Sequence, residues 1–264
     1  MAAVLAQHAL LEARNVHRSF GGVVALAGVD LAVNPGEIYS IIGPNGAGKT
    51  TMLNAISGVF RPTQGSIHFN GRDCTRLRTH QIAALGIART FQNLALFRGM
   101  SVEENVLVGR HALMRAGVFE CGIHFGRARG EEKRHRASVA AILEFLGLGH
   151  AAREPADKLP YGLQKRVDLG RALAVDPRLL LLDEPMAGMN HGEKAALMAL
   201  VTELNRGRGI TVILIEHDMG VVMNLSHRVA VLDHGVKIAE GTPAQVSADE
   251  RVIRAYLGSE EEVH

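Results

Sequence analysis

The sequence predicts an α/β fold in which buried parallel strands alternate with helices. Two apolar runs of strand length, residues 179–182 and 211–215, lie in the last third of the chain, with helical patterns between and after them. A third apolar run, residues 37–42, leads into the glycine-rich loop 43–48, and a helical pattern follows at 49–57. This alternation is typical of a parallel sheet with helices packed on its faces.

The N-terminal part of the chain adds further strands. Residues 10–20 and 29–33 are predicted strands, with a turn at Gly21-Gly22 between them. Residues 65–70 form another predicted strand, and Asn70-Gly71 provides its turn.

The middle of the chain is helical in pattern. Ser101 and Glu104 have the spacing of a capping box, which predicts the start of a helix. Residues 131–147 form a predicted helix that Gly147 ends. Its apolar face consists of Val139, Ile142, Leu143 and Leu146. Most of the glycine-rich, basic segment 117–136 is predicted to be a loop.

The last third ends in a hairpin and a further helix. Residues 228–232 and 236–240 are predicted strands joined by a tight turn at His234-Gly235. Thr242 and Gln245 form a second capping box, with Pro243 at the first helical position.

Composition excludes several classes of function. The 264 residues are 47% hydrophobic and 21% charged, as in ordinary globular proteins, and the net charge of +2 gives no basic field for nucleic acid. Cys74 and Cys121 lack metal-ligand spacing and are expected to stay reduced. We expect no signal peptide, and no apolar run approaches the roughly 18–20 residues that span a bilayer. Any membrane role is therefore expected to depend on partner proteins.

The loop from Gly43 to Thr50 matches the phosphate-binding pattern G-x-x-x-x-G-K-[ST]. The predicted strand before it and helix after it favour a phosphate loop over an ordinary glycine turn. Backbone N–H groups would surround the phosphates, and the N-terminus of the following helix would add positive potential. Lys49 is expected to reach the β- and γ-phosphates, and the Thr50 hydroxyl to ligate Mg²⁺.

Asp183 and Glu184 follow the apolar run 179–182. An acidic pair after a strand is by itself most often a solvated helix start. In a chain that also has a phosphate loop, the pair predicts a site at the carboxyl end of the sheet. Asp183 is suited to hold Mg²⁺, and Glu184 to orient and deprotonate the attacking water.

The order of these motifs resembles that of the nucleotide-binding subunits of ABC transporters over nearly the whole chain. Phe20 stands where that family has an aromatic residue that stacks on adenine, although core packing is the alternative for it. Gln92 resembles the glutamine that senses the γ-phosphate and Mg²⁺, and His217 resembles the switch histidine. Residues 159–164 resemble the signature loop L-S-G-G-Q-Q, and residues 187–190 resemble the loop after the acidic pair.

The resemblance implies a P-loop NTPase core of the ABC type, with an antiparallel β subdomain and an inserted α-helical subdomain. The core would comprise residues 1–92 and 172–264, and the insert, residues 93–171, would carry the signature loop and grip the membrane subunits. The cofactors would be ATP and Mg²⁺. The implied nucleotide-binding residues are Phe20, Gly43, Asn45, Gly46, Ala47, Gly48, Lys49, Thr50, Thr51, Tyr161, Gly162 and Gln164. The implied metal site consists of Thr50, Gln92 and Asp183, and the implied catalytic residues are Glu184, His217 and Gln92.

The signature loop departs from the family pattern. Pro160 replaces the serine that donates to the γ-phosphate, Leu163 replaces a glutamine, and Asn190 replaces an aspartate in the later loop. Because proline has neither a side-chain donor nor an N–H, the loop is left with Gly162, backbone N–H groups and a helix start. This leaves open a regulatory ATP-binding module with little turnover.

Sub-family features resemble the branched-chain amino acid importer ATPase that pairs with a second, similar ATPase. They are the Tyr161-Gly162 pair, residues 187–190, residues 215–219 and the ending 252–258. The resemblance implies transmembrane permease subunits, a second ATPase subunit, an indirect link to a solute-binding protein, and a position on the cytoplasmic face of the plasma membrane. ATPases of lipopolysaccharide export and of urea or amide import share some of these features. A soluble ABC ATPase of DNA repair, chromosome organisation or translation is the remaining alternative.

Overall fold

A computed structural model describes residues 9–90, 94–113 and 125–258 of the chain. The strands are β1 (Leu11–Phe20), β2 (Val23–Val33), β3 (Ile38–Ile42), β4 (Gln64–Phe69), β5 (Arg72–Asp73), β6 (Ile87–Arg89), β7 (Leu179–Asp183), β8 (Thr211–Ile215), β9 (Arg228–Asp233) and β10 (Val236–Gly241). The helices are α1 (Lys49–Ile56), α2 (Thr79–Ala84), α3 (Val102–Gly109), α4 (Phe125–Phe145), α5 (Tyr161–Leu173), α6 (His191–Arg208), α7 (Met219–Leu225), α8 (Pro243–Ser247) and α9 (Glu250–Gly258).

The strands form two sheets. The first is antiparallel, with strand order β2-β1-β4-β5. The second has the order β10-β9-β3-β8-β7-β6, and all its pairs are parallel except the β9–β10 hairpin. The predicted hairpin turn at His234-Gly235 is confirmed, and both residues have positive φ.

The parallel sheet is buried on both faces, which explains its continuous apolar strands. Every residue of β3, β7 and β8 is buried. Successive side chains point to opposite faces, so Leu180 and Leu182 join the core under the helices, whereas Leu179 and Leu181 join the core shared with the antiparallel sheet. The predicted strand 211–215 is found with the same limits, because an apolar run of this length matches a fully buried parallel strand.

The helices α3, α4 and α5 lie between β6 and β7 in the chain. The predicted apolar face of α4 is confirmed, since Val139, Ile142, Leu143 and Leu146 are all buried. Helices α3 and α5 approach closely where side chains are small: a Cβ on Gly109 would lie 2.3 Å from the Arg171 carbonyl oxygen. Ser101 caps α3 as predicted, accepting from the Glu104 N–H at 3.2 Å.

The prediction that most of residues 117–136 form a loop is wrong for 125–130, because α4 begins at Phe125, ahead of the predicted helix start at residue 131. The remainder, 117–124, lies outside the described residues. Glycine and basic residues suggested a loop, but contacts with other residues support the helix. Arg136 pairs with Glu132 one turn away and with Glu103 on α3, and buried His135 accepts from Arg110.

The predicted strand 29–33 is too short, because β2 begins at Val23. Val23 pairs with Phe20 and continues the β1–β2 ladder, yet Val23 and Val24 are exposed. This end of the strand therefore lacks the one-sided burial that produces an alternating pattern. The short elements β5, α2 and β6 were not predicted.

No helix in the described ranges is both long and apolar enough to cross a membrane. Cys74 is buried with a free thiol, and Cys121 lies outside the described residues. The Thr242 capping box and Pro243 start α8 as predicted.

Candidate nucleotide site

Three neighbouring parallel strands bring the predicted site residues to one edge of the sheet. The phosphate loop follows β3, the acidic pair ends β7, and His217 follows β8, which lies between them. The register aligns Ile215 of β8 with Ile41 of β3 and Asp183 of β7. This edge is the position at which open α/β sheets bind ligands.

Glycine is required at both ends of the phosphate loop. Gly43 has φ +145°, and a Cβ there would lie 2.0 Å from the Leu232 carbonyl oxygen. Gly48 has φ +100°, and a Cβ there would lie 2.5 Å from the Ala25 carbonyl oxygen. The loop thus presses against backbone on two sides, and a larger residue would open it.

The rest of the loop faces outward. Asn45 and Gly46 are exposed, and a Cβ on Gly46 would meet nothing within 4 Å. Ala47 is buried, and its carbonyl accepts from the Gly235 N–H at 3.1 Å. Gly235 in turn accepts from the Ala27 N–H at 2.8 Å, so the hairpin turn connects the phosphate loop to β2.

Lys49 points into the loop. Its Nζ donates to the carbonyl oxygens of Gly43 at 2.7 Å and Pro44 at 2.8 Å, and the residue is only 8% exposed. Burial lowers the pKa of Lys49, while the nearby carboxylates of Asp183 and Glu184 oppose that shift. Lys49 thus lies within the electrostatic influence of both carboxylates.

Asp183 is held by two different side chains. Its Oδ1 accepts from the Thr50 hydroxyl at 3.5 Å, and its Oδ2 accepts from Arg89 Nη2 at 2.8 Å. Burial raises the pKa of Asp183, and its hydrogen bond and ion pair with Arg89 act in the opposite direction. Thr51 follows Thr50 in the first turn of α1 and is half-buried.

Glu184 has a left-handed backbone, with φ +47°. This conformation is uncommon for a residue other than glycine, and such residues cluster at functional sites. Its N–H donates to the Ile215 carbonyl at 3.0 Å, so β8 fixes the backbone at this position. Its Oε2 lies 4.0 Å from Nδ1 of His217, whose side chain is 62% exposed.

Glu216 was missed by the sequence analysis. It is 1% exposed, and its Oε1 accepts from the Met186 N–H at 3.0 Å, which connects the end of β8 to the loop after Glu184. Burial raises the pKa of Glu216, and the hydrogen bond from Met186 lowers it. No sequence signal separates this carboxyl from an ordinary acidic strand end.

Phe20 does not pack in the core. It is 45% exposed, its ring meets Phe60 edge-on at 5.4 Å, and the Arg18 guanidinium lies 4.6 Å from its centroid. This exposure favours the predicted stacking role over core packing.

The signature loop is not brought to the phosphate loop within the described part of the chain. Pro160 precedes α5 without a side-chain cap, and Gln164 Nε2 donates to the Leu159 carbonyl at 2.7 Å. A Cβ on Gly188 would lie 3.3 Å from the Tyr161 ring, and one on Gly162 would lie 2.5 Å from Glu193.

Asn190 replaces an aspartate without losing the cap of α6, since its Oδ1 accepts from the Glu193 N–H at 3.0 Å.

Gln92 lies outside the described residues. The segment leading to it does not: Thr90 donates its N–H to the Leu181 carbonyl at 3.0 Å and so extends the β6–β7 pairing.

The C-terminal helix also reaches the phosphate loop. Tyr256 packs against the small core of Ile42, Val231 and Val252. Burial raises the pKa of Tyr256, and a hydrogen bond with the Gly43 backbone opposes the shift.

Together these features define a P-loop nucleoside triphosphatase. The arrangement also fits Mg²⁺, which is usually held by one or two carboxylates together with substrate phosphates and waters. Asp183 supplies one carboxylate, and the Thr50 hydroxyl lies beside it. In ranges 9–90, 94–113 and 125–258 no cluster of three His, Cys, Asp or Glu side chains forms a metal cage.

Comparisons with known proteins specify the class further. Residues 26–187 match the family model described as ABC transporter, and residues 236–262 match the one described as branched-chain amino acid ATP-binding cassette transporter. The high-affinity branched-chain amino acid transport ATP-binding proteins LivG of Escherichia coli K12 and BraF of Pseudomonas aeruginosa are each 41% identical, over 94% of this chain and 98% of theirs.

Solved structures agree. The ADP conformation of an ATP-binding cassette of an ABC transporter has a TM-score of 0.83 at 34% identity, covering 95% of this chain and 99% of that one. A dimeric cassette in a post-hydrolysis state, bound to ADP and Pi, has a TM-score of 0.73 at 27% identity, covering 88% and 98%.

The chain belongs to the ABC transporter family, as an ATP-hydrolysing subunit. The predicted fold class and the predicted resemblance to the branched-chain amino acid importer ATPases are both confirmed.

Proposed function

We propose that this chain binds Mg·ATP at residues 43–50 and hydrolyses it to drive the import of branched-chain amino acids through partner permeases. The observation that carries the choice of solute is the 41% identity, over 94% of the chain, to LivG and BraF. No residue of an ATPase subunit is expected to touch the solute, so relatives rather than site geometry support this choice.

The phosphate loop is the proposed binding site of the triphosphate. Its N–H groups and the N-terminus of α1 would face the phosphate oxygens. The Lys49 ammonium donates to the Gly43 and Pro44 carbonyls and would exchange these bonds for bonds to phosphate oxygens. Asn45, Gly46, Ala47, Gly48 and Thr51 complete the proposed contacts, and Phe20 offers an exposed ring to the adenine.

Thr50 and Asp183 are the proposed ligands of Mg²⁺, with Gln92 as the third. When bound, the ion would withdraw negative charge from the phosphates and so ease attack on the γ-phosphorus. The Thr50 hydroxyl and Asp183 Oδ1 are 3.5 Å apart, which supports a shared role for them at one ion.

Glu184 is the proposed base for the attacking water. It follows the metal ligand directly, and its left-handed backbone turns the chain out of the strand at this position. His217, 4.0 Å away, would hold the carboxylate and the water in line. Gln92, the last residue of the proposed core before the insert, would sense the γ-phosphate.

The residues that complete each site are proposed to come from a second cassette. Tyr161, Gly162 and Gln164 lie apart from the phosphate loop of their own chain, and a dimeric cassette is among the solved relatives. The N-terminus of α5 would approach the γ-phosphate of the partner's ATP with backbone N–H groups alone, because Pro160 offers no donor.

We further propose that residues 93–171 form the subdomain that contacts the permeases, and that residues 1–92 and 172–264 form the ATPase core. The chain would lie at the cytoplasmic face of the plasma membrane through these partners. A solute-binding protein would act on it only indirectly.

The test is reconstitution of this chain with its candidate permease, second ATPase and solute-binding protein in proteoliposomes. We expect ATP-dependent uptake of labelled leucine, and none with Lys49→Ala. Uptake of urea or a short amide but not leucine, or export of lipid, would replace the proposed solute. ATP hydrolysis by a chain that never associates with membrane subunits would instead favour a soluble ABC ATPase.

A further inference from the structure

The buried side chain of Arg89 joins three elements beneath the phosphate site. Arg89 ends β6 and is 9% exposed in its side chain. Its Nη2 donates to Asp183 Oδ2 on β7 at 2.8 Å, and its Nη1 donates to Ser57 Oγ at 3.1 Å and Asn54 Oδ1 at 2.5 Å, just after and within α1. One guanidinium therefore bonds both the end of β7 and the helix that carries Lys49 and Thr50.

The two oxygens of Asp183 have different partners. Oδ2 is fixed by Arg89, while Oδ1 faces the Thr50 hydroxyl at 3.5 Å. The Asp183 side chain is fully buried, so bulk solvent does not compete with Arg89 for Oδ2 in the folded chain. A carboxylate held in this way presents one chosen oxygen to a metal ion.

We propose that Arg89 is a positioning residue that orients Asp183 for Mg²⁺. The inference rests on the proposed role of Asp183 as a metal ligand. By fixing Oδ2, Arg89 directs Oδ1 to the same side as the Thr50 hydroxyl, and its bonds to Asn54 and Ser57 connect the guanidinium to α1 and the residue that follows it. The metal position is thus assembled before nucleotide binds.

Arg89 has two opposing effects on a nearby cation. Its positive charge repels the metal, whereas its hydrogen bond orients the ligand. Orientation dominates here because the guanidinium is bonded to the oxygen that faces away from Thr50 and is shared with two neutral acceptors, Asn54 and Ser57. Loss of such outer hydrogen bonds typically weakens metal affinity about 10–100-fold.

The experiment measures how tightly the chain binds a fluorescent, non-hydrolysable ATP analogue, once in the presence of Mg²⁺ and once in EDTA. The ratio of the two affinities measures the contribution of the metal, independently of turnover. In Arg89→Ala we expect the ratio to fall about 10–100-fold, with the EDTA affinity within about 2-fold of the parent. In Arg89→Lys the ratio should fall about 3–10-fold, since one ammonium cannot reproduce the planar guanidinium fork.

Two further variants separate the possible failures. Arg110→Ala removes another buried, ion-paired arginine, whose partners are His135, Ala174 and Asp176, and it should leave the ratio unchanged. Asp183→Asn should reduce the ratio at least as much as Arg89→Ala.

An unchanged or increased ratio in Arg89→Ala, while Asp183→Asn reduces it, would overturn the role of Arg89. An unchanged ratio in Asp183→Asn would overturn the metal role itself. If Arg89→Ala fails to fold, an unchanged ratio in folded Arg89→Lys overturns the proposal.

Discussion

Gly46 and Gly48 share a left-handed backbone but differ in what surrounds them. Their φ angles are +79° and +100°. A Cβ on Gly46 would enter open space, whereas one on Gly48 would lie 2.5 Å from the Ala25 carbonyl oxygen and 3.0 Å from the Leu26 side chain. Alanine at the two positions therefore separates backbone strain from steric overlap within one loop.

The cost of each substitution follows from these contacts. A left-handed alanine costs about 1–2 kcal/mol in the folded state, and this applies to both variants. Overlap with a backbone atom that cannot rotate away adds about 1–3 kcal/mol for Gly48→Ala only. At about 2–4 °C per kcal/mol for a chain of this size, Gly48→Ala should melt about 2–12 °C below Gly46→Ala.

The assay is thermal unfolding followed by circular dichroism in nucleotide-free buffer, with the parent chain as reference. Comparing Tm values at one scan rate avoids assuming two-state unfolding for a chain of this length. Equal melting temperatures, or a lower one for Gly46→Ala, would refute the claim that contact with β2 determines the tolerance of this loop.

Three further predictions concern single positions. Glu184→Gln should retain ATP but slow turnover about 10²–10⁴-fold, since an amide cannot accept the water proton; near-normal turnover in a phosphate-release assay would place the base elsewhere. Pro160→Ser should raise turnover of the assembled dimer by restoring a donor, and no change would show that this proline is not limiting. Glu216→Gln should raise Tm near pH 8, because the raised pKa of this carboxyl makes its ionised form unfavourable in the folded state. The gain should vanish near pH 4, where the folded carboxyl is already protonated; a gain independent of pH would argue against the charge as its cause.

The parts of the fold that could be predicted are those in which local sequence and burial agree. The strand at residues 211–215 and the caps at Ser101 and Thr242 were predicted because each depends on a few adjacent residues. The strand β6 was not predicted, because three residues carry too little pattern and the strand exists through its pairing with β7.

The site residues also divide into those indicated by local sequence and those that depend on contacts made by folding. Lys49 stands in a motif whose spacing is itself the signal, and Asp183 ends an apolar run in a chain that also has that motif. Arg89 and Glu216 are functional candidates only because folding places them against Asp183 and Met186, far away in the sequence. A buried charge can be recognised only when its partners are known.

The backbone hydrogen bonds of Gly235 connect the two ends of the proposed nucleotide site. The Gly235 N–H donates to the Ala47 carbonyl, and the Gly235 carbonyl accepts from the Ala27 N–H. One residue therefore connects the β1–β2 pair, which carries Phe20, to the phosphate loop, which carries Lys49. The backbone segments that carry Phe20 and Lys49 are thereby connected before any nucleotide binds. In the proposed roles, the Phe20 ring would hold the adenine and Lys49 the β- and γ-phosphates, so a nucleotide with a shorter phosphate chain would keep the first contact and lose part of the second.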